Sequence, residues 1–341
     1  MRIAQVAPLA ESVPPEGYGG TERVVSYLTE ELVRLGHEVT LFATGDSDTS
    51  ANLEPMSPHA ARSDPELDPG PFETRMLTEA YRRSDEFDII HCHTDYVGLP
   101  LAEHVSTPTV ITLHGRLDIP GLPALFREFP NVSYVSISDS QRAAAPDIHW
   151  VATIYHGLPE RLYPFQPTPG DYLLFLGRIS PEKAPDRAIR IAARAGVPLK
   201  IAAKVDPKDQ EYFEAEVEPL LEEPLVDFVG EVGGEKKLEL LAHARALLFP
   251  IDWPEPFGLV VIEALACGTP VVARRRGSIP EILLHGETGF IGETDDELCD
   301  AVSRLHQIDR RRCREDFERR FTDAEMTRNY VALYERLSRR G

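Results

Sequence analysis

From Leu247 to Ala273 the chain reads as strand, turn, helix, glycine stop and strand in unbroken succession. Leu247-Leu248-Phe249-Pro250 closes a strand, Gly258 to Ala266 forms a helix, Gly268 stops it, and Pro270 opens the next apolar run. This is the helix-to-strand passage of a doubly wound parallel sheet, in which ligands gather at the carboxyl ends of the strands. Glu255 falls in the turn there, and Glu263 lies inside the helix, eight positions on. At about 1.5 Å rise per residue, Glu263 is roughly 7 Å along the axis from Gly258. Its side chain leans back toward the N-terminus, as helical Cα–Cβ bonds do. The leading N–H groups at Phe257, Gly258, Leu259 and Val260, with the positive end of the dipole, make an anion site. A diphosphate fits there, with one acid beside a sugar and the other beside a ribose. Two surface acids flanking an ordinary helix would share this spacing; the embedded Pro-Phe-Gly and the strand entry favour a site.

The same alternation of strands and helices runs through the rest of the chain and predicts an α/β fold of parallel sheets. Strands are expected at Ile3–Ala7, Glu38–Ala43, Asp88–His91, Thr109–Leu113, Val132–Ile137 and Val151–Ile154. A helix starts at Thr21, carrying Val24, Val25, Leu28, Leu32 and Leu35 at helical spacing. The polar, proline-containing stretch from Thr44 to Pro71 reads as loop. Pro159, Pro164, Pro167 and Pro169 mark a hinge, after which a second series starts at Tyr172–Leu176. Thr322-Asp-Ala-Glu325 matches a capping box, followed by Met326, Tyr330, Leu333, Tyr334 and Leu337 on one helical face. The 341 residues suit two domains rather than one core. The expected division is 1–158 with a returning helix at 322–341, and 159–321.

Charge and composition remove several classes. A net charge of −20 argues against nucleic acid, which is bound by neutralising phosphates. It also argues against docking on anionic membranes, and the arginine-rich stretch 310–320, interleaved with acids, reads as an exposed, ion-paired helix. No apolar run approaches about 18 residues, and no signal-peptide core is visible, so a cytoplasmic location is expected. Cys92, Cys267, Cys299 and Cys313 show no paired spacing and read as reduced structural thiols.

Three further elements carry chemistry. Arg178 and Lys183, five residues apart in a loop after the strand from Tyr172, offer a fork of donors and a point charge for a pyrophosphate. His114 ends the strand Thr109–Leu113. His91-Cys92-His93-Thr94-Asp95 invites a metal-hydrolase reading, but a metal needs three or four ligands and a second shell, and no further ligand pair is recognisable. Alternation puts His91 and His93 on one face.

Glu255 and Glu263 with the intervening Pro-Phe-Gly resemble the E-x7-E signature of glycosyltransferase family 4, whose GT-B architecture is two Rossmann-like domains facing across a cleft. That resemblance covers nearly the whole chain, and its specific motifs lie mostly in the second half. It implies a donor domain at 159–321 and an acceptor domain at 1–158 completed by 322–341. By the same resemblance, Arg178 and Lys183 stabilise the departing diphosphate, although the family's usual glycine after the lysine is Ala184 here. Gly20 and Thr21 at a helix start face the donor's β-phosphate, and Gly230 and Val232 lie where the nucleotide base packs. His114 approaches the anomeric carbon, and His93, Asp95 and Tyr96 line the acceptor side.

The resulting expectation is a retaining, metal-independent hexosyltransferase with no cofactor beyond a nucleoside-diphosphate sugar, a UDP-sugar being favoured. Its acceptor is a small-molecule or glycan hydroxyl. With no carboxylate nucleophile in place, a front-face displacement is expected, in which the leaving phosphate oxygen helps take the acceptor proton. The alternatives are a sugar phosphorylase of the same architecture, a hydrolase built on His91, His93 and Asp95, and a non-catalytic nucleotide-sugar binder.

Overall fold

The computed structural model describes residues 1–17 and 19–339. Tyr18 and the end of the expected 322–341 segment lie outside the described residues. The chain divides into two compact units: Met1–Pro159 with Thr322–Gly341, and Glu160–Phe321.

In the first unit, the described residues form a sheet of seven strands: β1 (Arg2–Val6), β2 (Glu38–Thr44), β3 (Asn52–Ser57), β4 (Ile89–Cys92), β5 (Thr109–Leu113), β6 (Ser133–Ser136) and β7 (Trp150–Thr153). Their order is β3-β2-β1-β4-β5-β6-β7, and every pairing is parallel. The order reverses between β1 and β4, which places a crevice at their carboxyl ends. Strand β3 falls in the stretch expected to be loop. It is an edge strand containing Pro55, which only an edge tolerates, and its polar residues conceal it from periodicity.

Period-2 alternation gives this sheet two unlike faces. Ala4, Val6, Ile90, Cys92, Ile111 and Leu113 enter an apolar core with Met76, Leu77 and Tyr81 of the helix Pro69–Arg82. On the opposite face Gln5 lies in register with His91, and both are fully buried together with Thr112. Tyr330 and Tyr334 of the helix Asp323–Ser338 bond to these polar groups. Thr322 caps that helix by accepting the Glu325 N–H at 3.1 Å. The Glu325 side chain accepts instead from Asn329 at 3.2 Å, so one arm of the expected capping box forms. At the chain's return, a Cβ on Gly157 would stand 2.1 Å from the Thr322 carbonyl oxygen, so only glycine fits.

The second unit holds β8 (Leu173–Ile179), β9 (Leu199–Val205), β10 (Val226–Gly230), β11 (Ala246–Phe249), β12 (Val271–Arg274) and β13 (Gly289–Gly292). They run β10-β9-β8-β11-β12-β13 among the described residues, all parallel, with the reversal between β8 and β11. Fully buried strands such as β11 are continuous apolar runs, as a sheet covered on both faces requires.

The helix Arg310–Arg320 is ion-paired as expected, Arg314 meeting Glu318 and Arg319 meeting Asp316, but one of its faces is buried. Arg310 is buried and donates to the carbonyls of Gln166, Ala242 and Ala244 and to Thr269 Oγ1, at 2.6–2.8 Å. Arg314 reaches the carbonyls of Tyr163 and Ala266, and Arg320 reaches that of Ile282 and the fully buried carboxylate of Asp316. These three arginines turn inward and bond to backbone carbonyls of the unit. No helix among the described residues is long and apolar enough to cross a membrane.

Candidate active site

Glu255 sits in the turn after β11, as expected, and is almost wholly buried. Its Oε2 accepts from the Lys183 ammonium and from the Trp253 indole N–H at 2.9 Å. Lys183 lies over the rings of Trp253 and Phe249, at 4.8 and 5.5 Å from their centroids. The pair is therefore an ion pair in an aromatic, water-poor setting, where Coulomb attraction is stronger than at an open surface. Oε1 of Glu255 has no hydrogen-bond partner among the described residues.

The helix after this turn runs Leu259–Ala266, one residue shorter at its start than the sequence suggests. Gly258 precedes it with φ 86°, a left-handed conformation suited to glycine, and no side chain caps it. Its leading N–H groups at Leu259 and Val260 are thus not consumed by a cap. Phe257 is buried, so its contribution at the turn is its backbone; its carbonyl accepts from Ser278 Oγ at 2.7 Å. Glu263, on the helix, is buried as well, and its Oε1 accepts from Lys237 Nζ at 2.6 Å and Tyr163 Oη at 3.1 Å. Oε2 again has no partner among the described residues. Each acid of the pair is pinned through one oxygen by a lysine and an aromatic donor.

Gly277 supports the Glu255 turn from beneath. Its φ is 53°, and a Cβ there would lie 2.2 Å from the Glu255 carbonyl oxygen and 2.3 Å from its nitrogen. Gly277→Ala is expected to cost about 2–4 kcal/mol, combining the left-handed penalty with overpacking against rigid backbone. Urea unfolding would measure it, and a loss below about 1 kcal/mol would show that the turn yields.

Arg178 differs from the expected loop position. Strand β8 continues through Gly177 and Arg178 to Ile179, so Arg178 is held by the sheet. Its guanidinium faces Asp209 at 3.3 Å, Glu182 at 3.8 Å and Asp206 at 3.9 Å. Three carboxylates thus face the arginine, whose Nε makes no hydrogen bond among the described residues. Ala184, after Lys183, adopts φ 52° and ψ 55° at the start of the helix Pro185–Ala195, a conformation in which glycine is unstrained. Gly230, with φ 80°, and Val232 follow at the carboxyl end of β10, two strands away from β8 in the sheet.

In the first unit, Gly20 and Thr21 open the helix Gly20–Arg34, again without a side-chain cap. Glu22 follows in the first turn, its carboxyl pushed above the usual range by burial. His93, His114 and His156 form a line, with ring centroids 5.2 Å apart at each step, and His91 lies 4.0 Å from His93. Burial depresses all four imidazoles, His114 down to about 3. His91 bonds Tyr334 Oη at 2.6 Å and Thr112 Oγ1 at 2.7 Å, and His93 bonds Gln5 and His114 at 2.8 and 2.9 Å.

Both nitrogens of His91 and of His93 are bonded inside the unit, so these two rings are buried rather than lining a surface. The arrangement also leaves the hydrolase reading without ligands, for among the described residues no three His, Cys, Asp or Glu side chains are grouped to hold a metal. Asp95, at φ 50°, has its carboxyl raised by burial. Tyr96 is exposed.

Trp253, Lys237 and Tyr163 were not singled out by the sequence. Trp253 stands two residues before Glu255 and could have been found by inspecting the turn, whereas Lys237 and Tyr163 are 26 and 100 residues from Glu263 with no local signal.

Residues 164–320 match the family model described as glycosyl transferases group 1, and residues 18–173 match that for glycosyltransferase family 4. A glycogen synthase of Mycobacterium tuberculosis is 29% identical over 343 residues, covering 85% of this chain and 81% of that protein. A D-inositol 3-phosphate glycosyltransferase of Kribbella flavida is 25% identical, covering 84% and 82%. The crystal structure of AviGT4, a glycosyltransferase involved in avilamycin A biosynthesis, superposes with a TM-score of 0.75 at 27% identity, covering 100% of this chain and 99% of that one. With its two parallel α/β units and both halves matched, the chain belongs to the GT-B glycosyltransferases of family 4.

Proposed function

We propose that this glycosyltransferase moves a hexose from a nucleoside-diphosphate sugar, with a UDP-sugar favoured, to a hydroxyl of a small-molecule or glycan acceptor, retaining the anomeric configuration and using no metal. The observation that carries this reading is the matched state of the two acids. Glu255 and Glu263 are each held through a single oxygen, leaving the other to accept from hydroxyls. Glu255 is assigned to sugar hydroxyls and Glu263 to the ribose. Lys183, Arg178 and the start of the helix Leu259–Ala266 supply positive potential for the diphosphate, which takes the role a metal would otherwise fill. No carboxylate stands free as a nucleophile in this set, which favours a front-face displacement with the leaving phosphate oxygen taking the acceptor proton.

Gly230 and Val232 are assigned to the base and Gly20 with Thr21 to an anionic group. For Asp95 and Tyr96 we propose acceptor contacts. His114, whose low proton affinity unsuits it to general-base work at neutral pH, is assigned to orienting a hydroxyl.

Thermal shift over UDP-, GDP- and ADP-sugars tests the donor class, since a ligand at 100 times its Kd adds about 2.7 kcal/mol. The anomeric proton coupling of the product then reports stereochemistry, and full turnover in EDTA is expected. Stabilisation by none of these donors, or an inverted product, would overturn the reading. Glu263→Ala should weaken UDP binding by about 1.5–3 kcal/mol, the worth of a hydrogen bond to a charged group. Calorimetry with UDP measures it, and an unchanged affinity would remove Glu263 from the ribose.

A further inference from the structure

The buried polar face of the first sheet is a hydrogen-bond chain with a readable direction. Tyr334 Oη and His91 Nδ1 are 2.6 Å apart, shorter than N–H···O bonds run but ordinary for an O–H donor. Tyr334 therefore donates to His91 Nδ1, and His91 Nε2–H donates to Thr112 Oγ1 at 2.7 Å. Having spent its proton, Tyr334 receives one from Gln5 Nε2 at 3.4 Å. That contact turns Gln5 Oε1 toward His93 Nε2, 2.8 Å away, so His93 carries its proton on Nε2. His93 Nδ1 is then a lone pair, and it accepts from His114 Nε2–H at 2.9 Å. The proton on His114 is thereby assigned to Nε2.

His114 Nδ1 is left as a bare acceptor. It is shut off from water and has no hydrogen-bond partner among the described residues. A buried acceptor left without a donor is unfavourable, and it is rare enough to require a cause. The ring of His156 stacks on that of His114 at 15°, which holds the imidazole in place.

We propose that Gln5, oriented by Tyr334, is a positioning residue that acts through His93 to hold His114 in the Nε2–H tautomer, and that this fixed tautomer supports turnover. The inference makes the last helix of the chain a determinant of the protonation pattern at His114. Its functional half rests on the transferase reading above, but its tautomeric half does not. Depression of the imidazole by burial keeps the ring neutral through the physiological range, so a tautomer is defined there.

Long-range nitrogen–proton NMR on the full chain with 15N-labelled histidine, without substrate, decides the tautomer. The His114 resonances, assigned by their loss in His114→Asn, should show a protonated Nε2 and an unprotonated Nδ1. Gln5→Met and, separately, Tyr334→Phe should give mixed or reversed tautomers at His114. With an active donor–acceptor pair, Gln5→Met should also lower kcat about tenfold and leave the donor KM unchanged. A wild-type His114 protonated on Nδ1, or a tautomer indifferent to both substitutions, overturns the proposal. Should Gln5→Met fail to fold, the wild-type spectrum and Tyr334→Phe still decide it. An absence of any transferase activity alongside the expected spectra would instead refute the functional assignment and leave the relay standing.

Discussion

Lys183→Ala is expected to lower kcat by about 100–1000-fold, or ~2.7–4 kcal/mol, while the donor KM changes little. Negative charge grows on the departing diphosphate as the glycosidic bond breaks, so a cation at that place contributes more to the transition state than to the ground state. Lys183 is suited to this because Glu255, Trp253 and Phe249 hold its ammonium away from bulk water. A transferable charge must also be released from its resting partner. One of the three ammonium protons meets Glu255, leaving others for phosphate oxygens. The substitution leaves Glu255 bonded to the Trp253 indole but without its cation, so the unfolding midpoint should fall, and the kinetics belong well below it. Steady-state kinetics with the donor found by thermal shift would check it. Turnover within about threefold of wild type would place the charge stabilisation elsewhere, with Arg178 the next residue to test.

Arg310→Met should be the most destabilising of the substitutions considered, by about 3–5 kcal/mol. The guanidinium joins three carbonyls and a hydroxyl from the segments at Gln166, Ala242, Ala244 and Thr269. Methionine fills part of the space yet returns no donor, and every buried carbonyl left unsatisfied costs on the order of 1–3 kcal/mol. Burial presses the Arg310 pKa down, but guanidinium remains charged in proteins. Calorimetry should show a melting transition lowered by roughly 6–20 °C, given about 2–4 °C per kcal/mol for a unit of this size. A fall under about 2 °C would mean that water replaces the arginine at these carbonyls.

The helix-to-strand passage around Glu255 was legible because its signals are local. Gly258, Gly268 and Pro270 punctuate an apolar run, and backbone rules tie such punctuation to turns and helix ends. Strand β3 was not, because an edge strand needs no apolar face and Pro55 argues against a strand. Alternation correctly grouped His91 with His93 but could not say what covers their face. The covering tyrosines, Tyr330 and Tyr334, lie some 240 residues later in the chain. Arginines in the 310–320 helix were read outward because charged side chains are seldom buried without partners. Here the partners are carbonyls, which exist in every sequence and so mark none. The same reasoning explains why the acids of the site were found and the lysine and tyrosine holding Glu263 were not.

The first unit is discontinuous: its sheet is complete by Pro159, yet the helix that bonds to Gln5, His91 and Thr112 begins only at Asp323. A ribosome adding about 5–20 residues per second needs on the order of 10–30 s to pass from one to the other. Throughout that interval the nascent sheet exposes a polar face that will later be dry, while the intervening unit can mature on its own. The first unit can therefore complete its packing only after the second has been synthesised, when the helix Asp323–Ser338 emerges.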